Sequence, residues 1–157
     1  MARSALERLL AEASNYPDEE TGGLLVGYRD KHAVVITGAI GPGPNASHAR
    51  TSFDPDPQWQ ANELAEVYAA SGRTYTYLGD WHTHPGGVPA PSRRDRKTLR
   101  RIARHRQARQ PAPIMVILAT GQHADLGLWM YAGRWSSPRR MQARLLEEHW
   151  PTTEGIA

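Results

Sequence analysis

The chain has 157 residues, 39% hydrophobic and 22% charged, with 14 Gly and 12 Pro, a balance that fits one globular domain with generous loops and excludes a fibrous or disordered chain. It contains no cysteine, which excludes disulfides, iron–sulfur clusters, thiol nucleophiles and Cys-ligated zinc and leaves His and carboxylates as the metal ligands on offer. The net charge of +3 hides an asymmetry, because nine of the 19 basic residues fall between Arg93 and Arg109 beside a single acid, Asp95; one local basic helix argues only weakly for nucleic acid.

Residues 3–13 place Leu6, Leu9, Leu10 and Ala13 at helical spacing, an amphipathic first helix that stops near Asn15, Tyr16 and Pro17. The runs Gly22 to Tyr28 and Ala33 to Thr37 flank the polar Arg29-Asp30 and predict a β-hairpin. From Gly41 to Pro57, glycines, prolines and polar residues predict a long surface loop. Residues 58–70, with Leu64, Val67 and Tyr68 in helical register before Ser71-Gly72, predict a second helix, and Thr74 to Trp81 predicts a strand that delivers His82. Ser92 opens the basic helix, closed by Pro111 and Pro113, and the strands Ile114 to Ala119 and Leu126 to Tyr131 follow. A closing helix is expected over 138–149. The order predicts one mixed α/β domain spanning 1–157. The longest apolar run, Ile114 to Ala119, is too short for a bilayer, and Arg3, Glu7, Arg8 and Glu12 occupy the place of a signal-peptide core. A soluble, cytoplasmic protein without a membrane partner is expected.

The segment that carries chemistry is His82-Thr83-His84-Pro85, followed after six residues by Ser92-Arg93-Arg94-Asp95. Strand alternation sends His82 and His84 to one side, roughly 6–7 Å apart along the backbone, so both imidazoles can converge on one ion. Ser92 is a natural N-cap. Asp95 shares its helix stripe with Leu99, Ile102 and Ala103, so this carboxylate faces inward and needs a partner. Two His and one Asp with room for a water is the donor pattern of a catalytic zinc site, where the metal lowers the pKa of that water towards neutrality. Such a site needs a base. Glu19 and Glu20 both precede Gly22-Gly23, and the residues alone leave the choice between them open. The glycines permit close approach of a substrate or of another strand.

Together, Glu-Thr-Gly-Gly-Leu-Leu-Val-Gly upstream and His-Thr-His-Pro-x6-Ser-x-x-Asp downstream resemble the JAMM zinc metalloproteases, the catalytic members of the MPN/JAB superfamily. Carried over by motif position, the resemblance implies His82, His84 and Asp95 as ligands of one zinc. It selects Glu20 over Glu19 as general base and acid, and gives Ser92 a part in stabilising the oxyanion. It implies a fold similar to that of cytidine deaminases, a curved mixed sheet flanked by helices. The implied reaction is hydrolysis of the isopeptide or peptide bond after the C-terminal glycine of ubiquitin or a ubiquitin-like modifier, whose extended tail would add as a strand to a sheet edge. The compact length and Tyr77-Leu78-Gly79-Asp80-Trp81 look most like the small bacterial JAB proteins of CBASS antiphage operons, which implies E1/E2-like operon partners.

The competing readings are a non-catalytic MPN scaffold that binds without cutting, a JAB hydrolase of sulfur-carrier metabolism, and a zinc deaminase, whose Cys ligands this chain lacks. For Asp95 the plain alternative is an ion pair with a neighbouring Arg, for Ser92 a helix cap alone, and for Glu20 a solvated turn. His32, His48, His105, His123 and His149 lie in no ligand pattern, so surface or core roles are expected of them. The aromatic residues do not interleave with the basic run, and a solvated face is favoured there over docking of nucleic acid or an acidic partner.

Overall fold

A computed structural model describes residues 1–131, 133 and 137–147. Its main sheet has the strand order β2-β1-β5-β6-β7-β8, from β1 (Gly22–Arg29), β2 (Val34–Ile40), β5 (Thr76–Pro85), β6 (Ile114–Thr120), β7 (Asp125–Met130) and β8 (Arg139–Arg140). Only β5 and β6 are parallel. Parallel neighbours need a crossover, and the basic helix α3 (Arg93–Arg104) provides it.

Alternation along β6 sorts the core into two layers. Ile114 and Val116 pack with Ala5 and Leu9 of α1 (Arg3–Asn15) and with Leu25, Leu78 and Trp81. Met115 and Ile117 instead meet Leu99 of α3 and Tyr131. A strand covered on both faces reads as an unbroken apolar run, which is why 114–119 stood out in the sequence. The β5–β6 register sets Trp81 beside Val116 and His82 beside Ile117. Trp81 therefore goes to the α1 side, where its indole donates to Ile40 O at 3.0 Å, and Asp80, His82 and His84 emerge on the α3 side.

The hairpin of β1 and β2, the helix α2 (Pro57–Ala70) and both later strands form as expected. Gly22 and Gly23 serve strand packing. A Cβ on Gly22 would meet the Trp81 carbonyl and the Phe53 ring, and one on Gly23 would meet the Ile40 carbonyl, so of the two expected neighbours it is another strand that requires them.

Two expectations are corrected. The stretch 41–57 is more than a loop: β3 (Ser47–Ala49) and β4 (Ser52–Asp54) make a small antiparallel sheet. Strands of three residues are too short to show an alternating pattern. The Asp56 carboxylate fastens this segment by capping α2 at Trp59 N, 3.0 Å, while accepting from Asn45 Nδ2 at 2.7 Å. The closing helix expected at 138–149 does not form over 138–147, and His149 lies outside the described residues. Residues 139–140 pair with β7 instead, and Leu146 bridges Ala2, with Leu146 N–H donating to Met1 O at 3.0 Å. Leu145 and Leu146 both stay exposed, so no apolar stripe is buried that would hold a helix there.

Candidate metal centre

His82 and His84 bring their Nε2 atoms within 3.0 Å of each other. The first turn of α3 adds Asp95, whose Oδ1 lies 3.4 Å from His82 Nε2 and whose Oδ2 lies 3.5 Å from His84 Nε2. All three side chains are sequestered, 8–14% exposed. A tetrahedral zinc with bonds of about 2.0–2.1 Å has ligand–ligand edges of about 3.3 Å, so the separations and the donor set of two imidazoles and one carboxylate fit such an ion. Among the described residues this is the one group of three or more metal-ligating side chains that converge.

Each donor is held by bonds of its own. His84 Nδ1 lies 2.9 Å from Val88 O; a carbonyl only accepts, so Nδ1 carries a proton and Nε2 is the ring nitrogen turned to the centre, where it can donate to Asp95 or, once deprotonated, ligate a metal. The loop that supplies Val88 is pinned by Trp129 Nε1 donating to Pro89 O at 2.9 Å and Gly86 N–H donating to Thr120 O at 2.7 Å. Asp95 and Ser92 form a capping box: Ser92 N–H donates to Asp95 Oδ2 at 2.6 Å and Asp95 N–H donates to Ser92 Oγ at 3.2 Å. Ser92 is thus the expected N-cap, and a hydroxyl that accepts still has its own proton to donate.

Glu20 reaches the same place through strand register. Thr83 N–H donates to Thr21 O at 2.8 Å and Thr21 N–H to Thr83 Oγ1 at 2.9 Å. This continues the β1–β5 pairing in which Gly22 faces His82. Two residues before Gly22, Glu20 falls on the side of the histidines and Glu19 on the other. Glu20 lines a cleft of about 930 Å3 together with His82 and Asp95, and Glu19 does not. The small sheet clamps Glu20 from behind. Its N–H donates to Ala49 O at 2.8 Å, and its carbonyl accepts from His48 Nδ1 at 3.0 Å. The His48 ring stacks on Tyr16 with centroids 3.7 Å apart. His48 therefore has a supporting place at the site that its spacing in the sequence did not signal.

Burial pushes the Glu20 carboxyl up from its ordinary value, with the His82 and His84 imidazoles opposing. Burial also pushes Asp95 up, yet hydrogen bonds with His82 and His84 outweigh it and hold this carboxyl well below the usual range. The hydrogen bond to Asp95 raises His84. A carboxyl raised above its ordinary value beside a three-donor cluster is better suited to accept and return a proton than a solvated one.

The basic helix departs in part from expectation. Arg93 and Arg96 lie away from the cleft, but Arg94, Lys97, Arg100, Arg101 and Arg104 line it. No helix among the described residues is long and apolar enough to cross a membrane.

Residues 2–132 match the family described as prokaryotic homologs of the JAB domain. The chain is 45% identical over 120 residues to a probable metalloprotease, y4qB, of Sinorhizobium fredii, covering 75% of this chain and 73% of that one. It is 31% identical over 127 residues to a CD-NTase/cGAS isopeptidase of Pseudomonas aeruginosa, 80% of each chain. A similarly named protein of Enterobacter hormaechei is 31% identical over 121 residues, 75% of this chain and 65% of the relative. The fold is similar to the solution structure of protein DSY2949 from Desulfitobacterium hafniense, with a TM-score of 0.69, 22% identity and 94% coverage of both chains. With residues 2–132 matched and His82, His84 and Asp95 converging beside the cleft that Glu20 lines, the chain belongs to the prokaryotic JAB family.

Proposed function

We propose that this chain is a zinc-dependent peptidase that hydrolyses the isopeptide or peptide bond following the C-terminal glycine of a ubiquitin-like modifier. The observation that carries the reading is the meeting of Glu20 with His82 and Asp95 in one cleft, across the Thr21–Thr83 latch, with His84 completing the donor cluster. A scaffold that only bound its partner would need neither a three-donor cluster nor a carboxyl held beside it. Membership of the JAB family and relatives named metalloprotease and isopeptidase support hydrolysis.

His82 Nε2, His84 Nε2 and Asp95 would hold the metal, which when bound supplies Lewis acidity that polarises a carbonyl and lowers the pKa of water. Glu20 takes the proton from the attacking water and gives it to the departing amine, a transfer helped by its raised pKa. The Ser92 hydroxyl donates to the carbonyl oxygen as negative charge grows there. The modifier's tail enters in extended form. β1 is paired on both sides, whereas β4 lines the cleft and belongs to a sheet of only two strands, so β4 offers the edge on which an extended Gly-Gly tail can pair.

The CD-NTase/cGAS isopeptidase names of several relatives support a conjugate as substrate, and with it we propose E1/E2-like enzymes as operon partners and a cytoplasmic place in antiphage defence. The test is incubation of the zinc-loaded chain with a panel of ubiquitin and ubiquitin-like proteins, each extended beyond its terminal glycine or conjugated through lysine. Release of a modifier ending in glycine, blocked by chelation and restored by zinc, is the expected result. Zinc loading without cleavage of any such substrate would favour the binding module or a small-molecule reaction.

A further inference from the structure

One wall of the cleft is cationic along its length. Arg94, Lys97, Arg101 and Arg104 follow at i, i+3, i+7 and i+10 on α3, and all four line the cleft. At 1.5 Å per residue the row extends about 15 Å from beside Asp95. Among the described residues none of the four takes part in an ion pair. The remaining sides of the cleft carry Glu20, Asp54 and Asp80, whose carboxylate already accepts from the Tyr77 hydroxyl at 2.6 Å. Cations gathered along the wall of a cleft attract acidic groups more strongly than the same charges on an open face.

The distribution of sign identifies the occupant. A phosphodiester chain carries charge at every unit and would bring phosphates against Glu20 and Asp54 as well as against the arginines. An extended peptide sends successive side chains to opposite sides, so acids at alternate positions meet α3 while uncharged residues meet the carboxylates. α3 carries no aromatic residue between its cations on which bases would stack. We infer that the cleft selects a polypeptide segment with Asp or Glu at alternate positions, the acidic side turned to Arg94, Lys97, Arg101 and Arg104. In the hydrolase proposed above, on which this placement rests, that segment flanks the scissile bond, and acidity of the flanking sequence is what distinguishes good substrates from poor ones.

The experiment is fluorescence anisotropy at low salt, using labelled peptides about ten residues long of alternating Asp and Gly or alternating Ser and Gly, and a labelled oligothymidylate. K97E/R101E is compared with R93E/R106E, which makes the same change in net charge at residues that do not line the cleft. The Asp-Gly peptide should bind the wild type better than Ser-Gly does, lose about tenfold in K97E/R101E, and change less than twofold in R93E/R106E. Lys97→Gln/Arg101→Gln should show a smaller loss in the same direction if the reversed pair fails to fold. Equal loss in R93E/R106E, no preference over Ser-Gly, or oligothymidylate binding as tightly through Lys97 and Arg101 would each overturn the inference. Binding is read without hydrolysis. Acidic-peptide binding at Lys97 and Arg101 in a protein that cuts no conjugate would sink the hydrolase reading alone, and cleavage indifferent to flanking charge would sink this one alone.

Discussion

Asp95 performs two jobs that one substitution can separate. Its carboxylate accepts from Ser92 N–H at 2.6 Å to cap α3, and it completes the donor triangle with His82 and His84. In Asp95→Asn the amide oxygen still accepts from Ser92, so the cap survives, but the anionic ligand is gone. A structural zinc held by four protein ligands is bound by about 10–16 kcal/mol, or about 3 kcal/mol for each ligand. Losing one of three should therefore weaken zinc binding by about a hundredfold. Asp95→Ala should bind zinc as poorly and lose in addition about 1 kcal/mol of metal-free stability, the worth of the cap. Zinc per chain, measured by elemental mass spectrometry on proteins purified side by side without added metal, gives the first reading, and competition with a chromogenic chelator gives the affinities. One zinc in the wild type and little in either variant is the expected pattern. An Asp95→Asn protein that keeps one zinc within about threefold of the wild-type affinity would refute the ligand assignment, and a folded wild type unable to take up zinc would remove the metal centre altogether.

Glu20→Gln should abolish cleavage while leaving zinc content and melting temperature near wild type, and Glu19→Gln should leave all three unchanged; an active Glu20→Gln enzyme contradicts the proton-transfer role. His48→Leu removes the donor to Glu20 O and should lower kcat about fivefold, the value of one hydrogen bond of about 1 kcal/mol, at unchanged zinc content. His48→Asn, which keeps a side-chain N–H, should recover part of that loss; a loss of zinc in His48→Leu would show a disrupted fold instead. For the metal-free protein the pKa shifts set a stability window. His84 is raised above its ordinary 6.5, so its contribution is complete below that pH and is lost as pH rises through the folded value. Asp95 is lowered from 3.8, so its contribution is present above that pH and is lost as pH falls. Thermal melts of chelated protein should show this part of the stability greatest between those limits, and Asp95→Asn should flatten the profile; an unchanged profile in Asp95→Asn would count against the coupling.

The parts of the site set by a local period were legible in the sequence. Alternation alone puts His82 and His84 on one side of β5, and helical spacing alone puts Asp95 on the stripe of Leu99. The choice between Glu19 and Glu20 was not legible in the residues, because it depends on which residue of β5 faces Gly22, a register set 60 positions away. The family resemblance supplied that choice, and the Thr21–Thr83 pairing gives its physical reason. His48 was out of reach for a similar cause. Its role exists only once β3 and β4 fold back onto Glu20, and strands of three residues leave no pattern to read. The basic helix shows the limit of charge counting. Spacing reveals a positive helix, but whether a given arginine meets solvent or a cleft depends on how β1, β4 and α3 pack.

The supports of the site divide by range, and the division has a functional consequence. His82 and His84 share one strand, Asp95 lies at the start of the following helix, and the bonds that orient His84 and Asp95 come from Val88 and Ser92 within four residues of them. The donor triangle is therefore oriented by near neighbours, with Trp129 and Thr120 pinning the Val88 loop from farther off, at separations that fit a tetrahedral ion. Such a centre differs from a zinc finger, whose metal provides the folding energy. Glu20 is held by His48, 28 residues away, and its neighbour Thr21 by Thr83, 62 residues away. Loosening the β3–β4 hairpin would shift the carboxyl while leaving the ligands in place, and small displacements of a proton-transfer group cost rate steeply. The hairpin that supports Glu20 also lines the cleft through Ser52, Phe53 and Asp54, so under the proposed mechanism a segment seated there would meet the element that positions the proposed base, while the donor triangle would stay as it is.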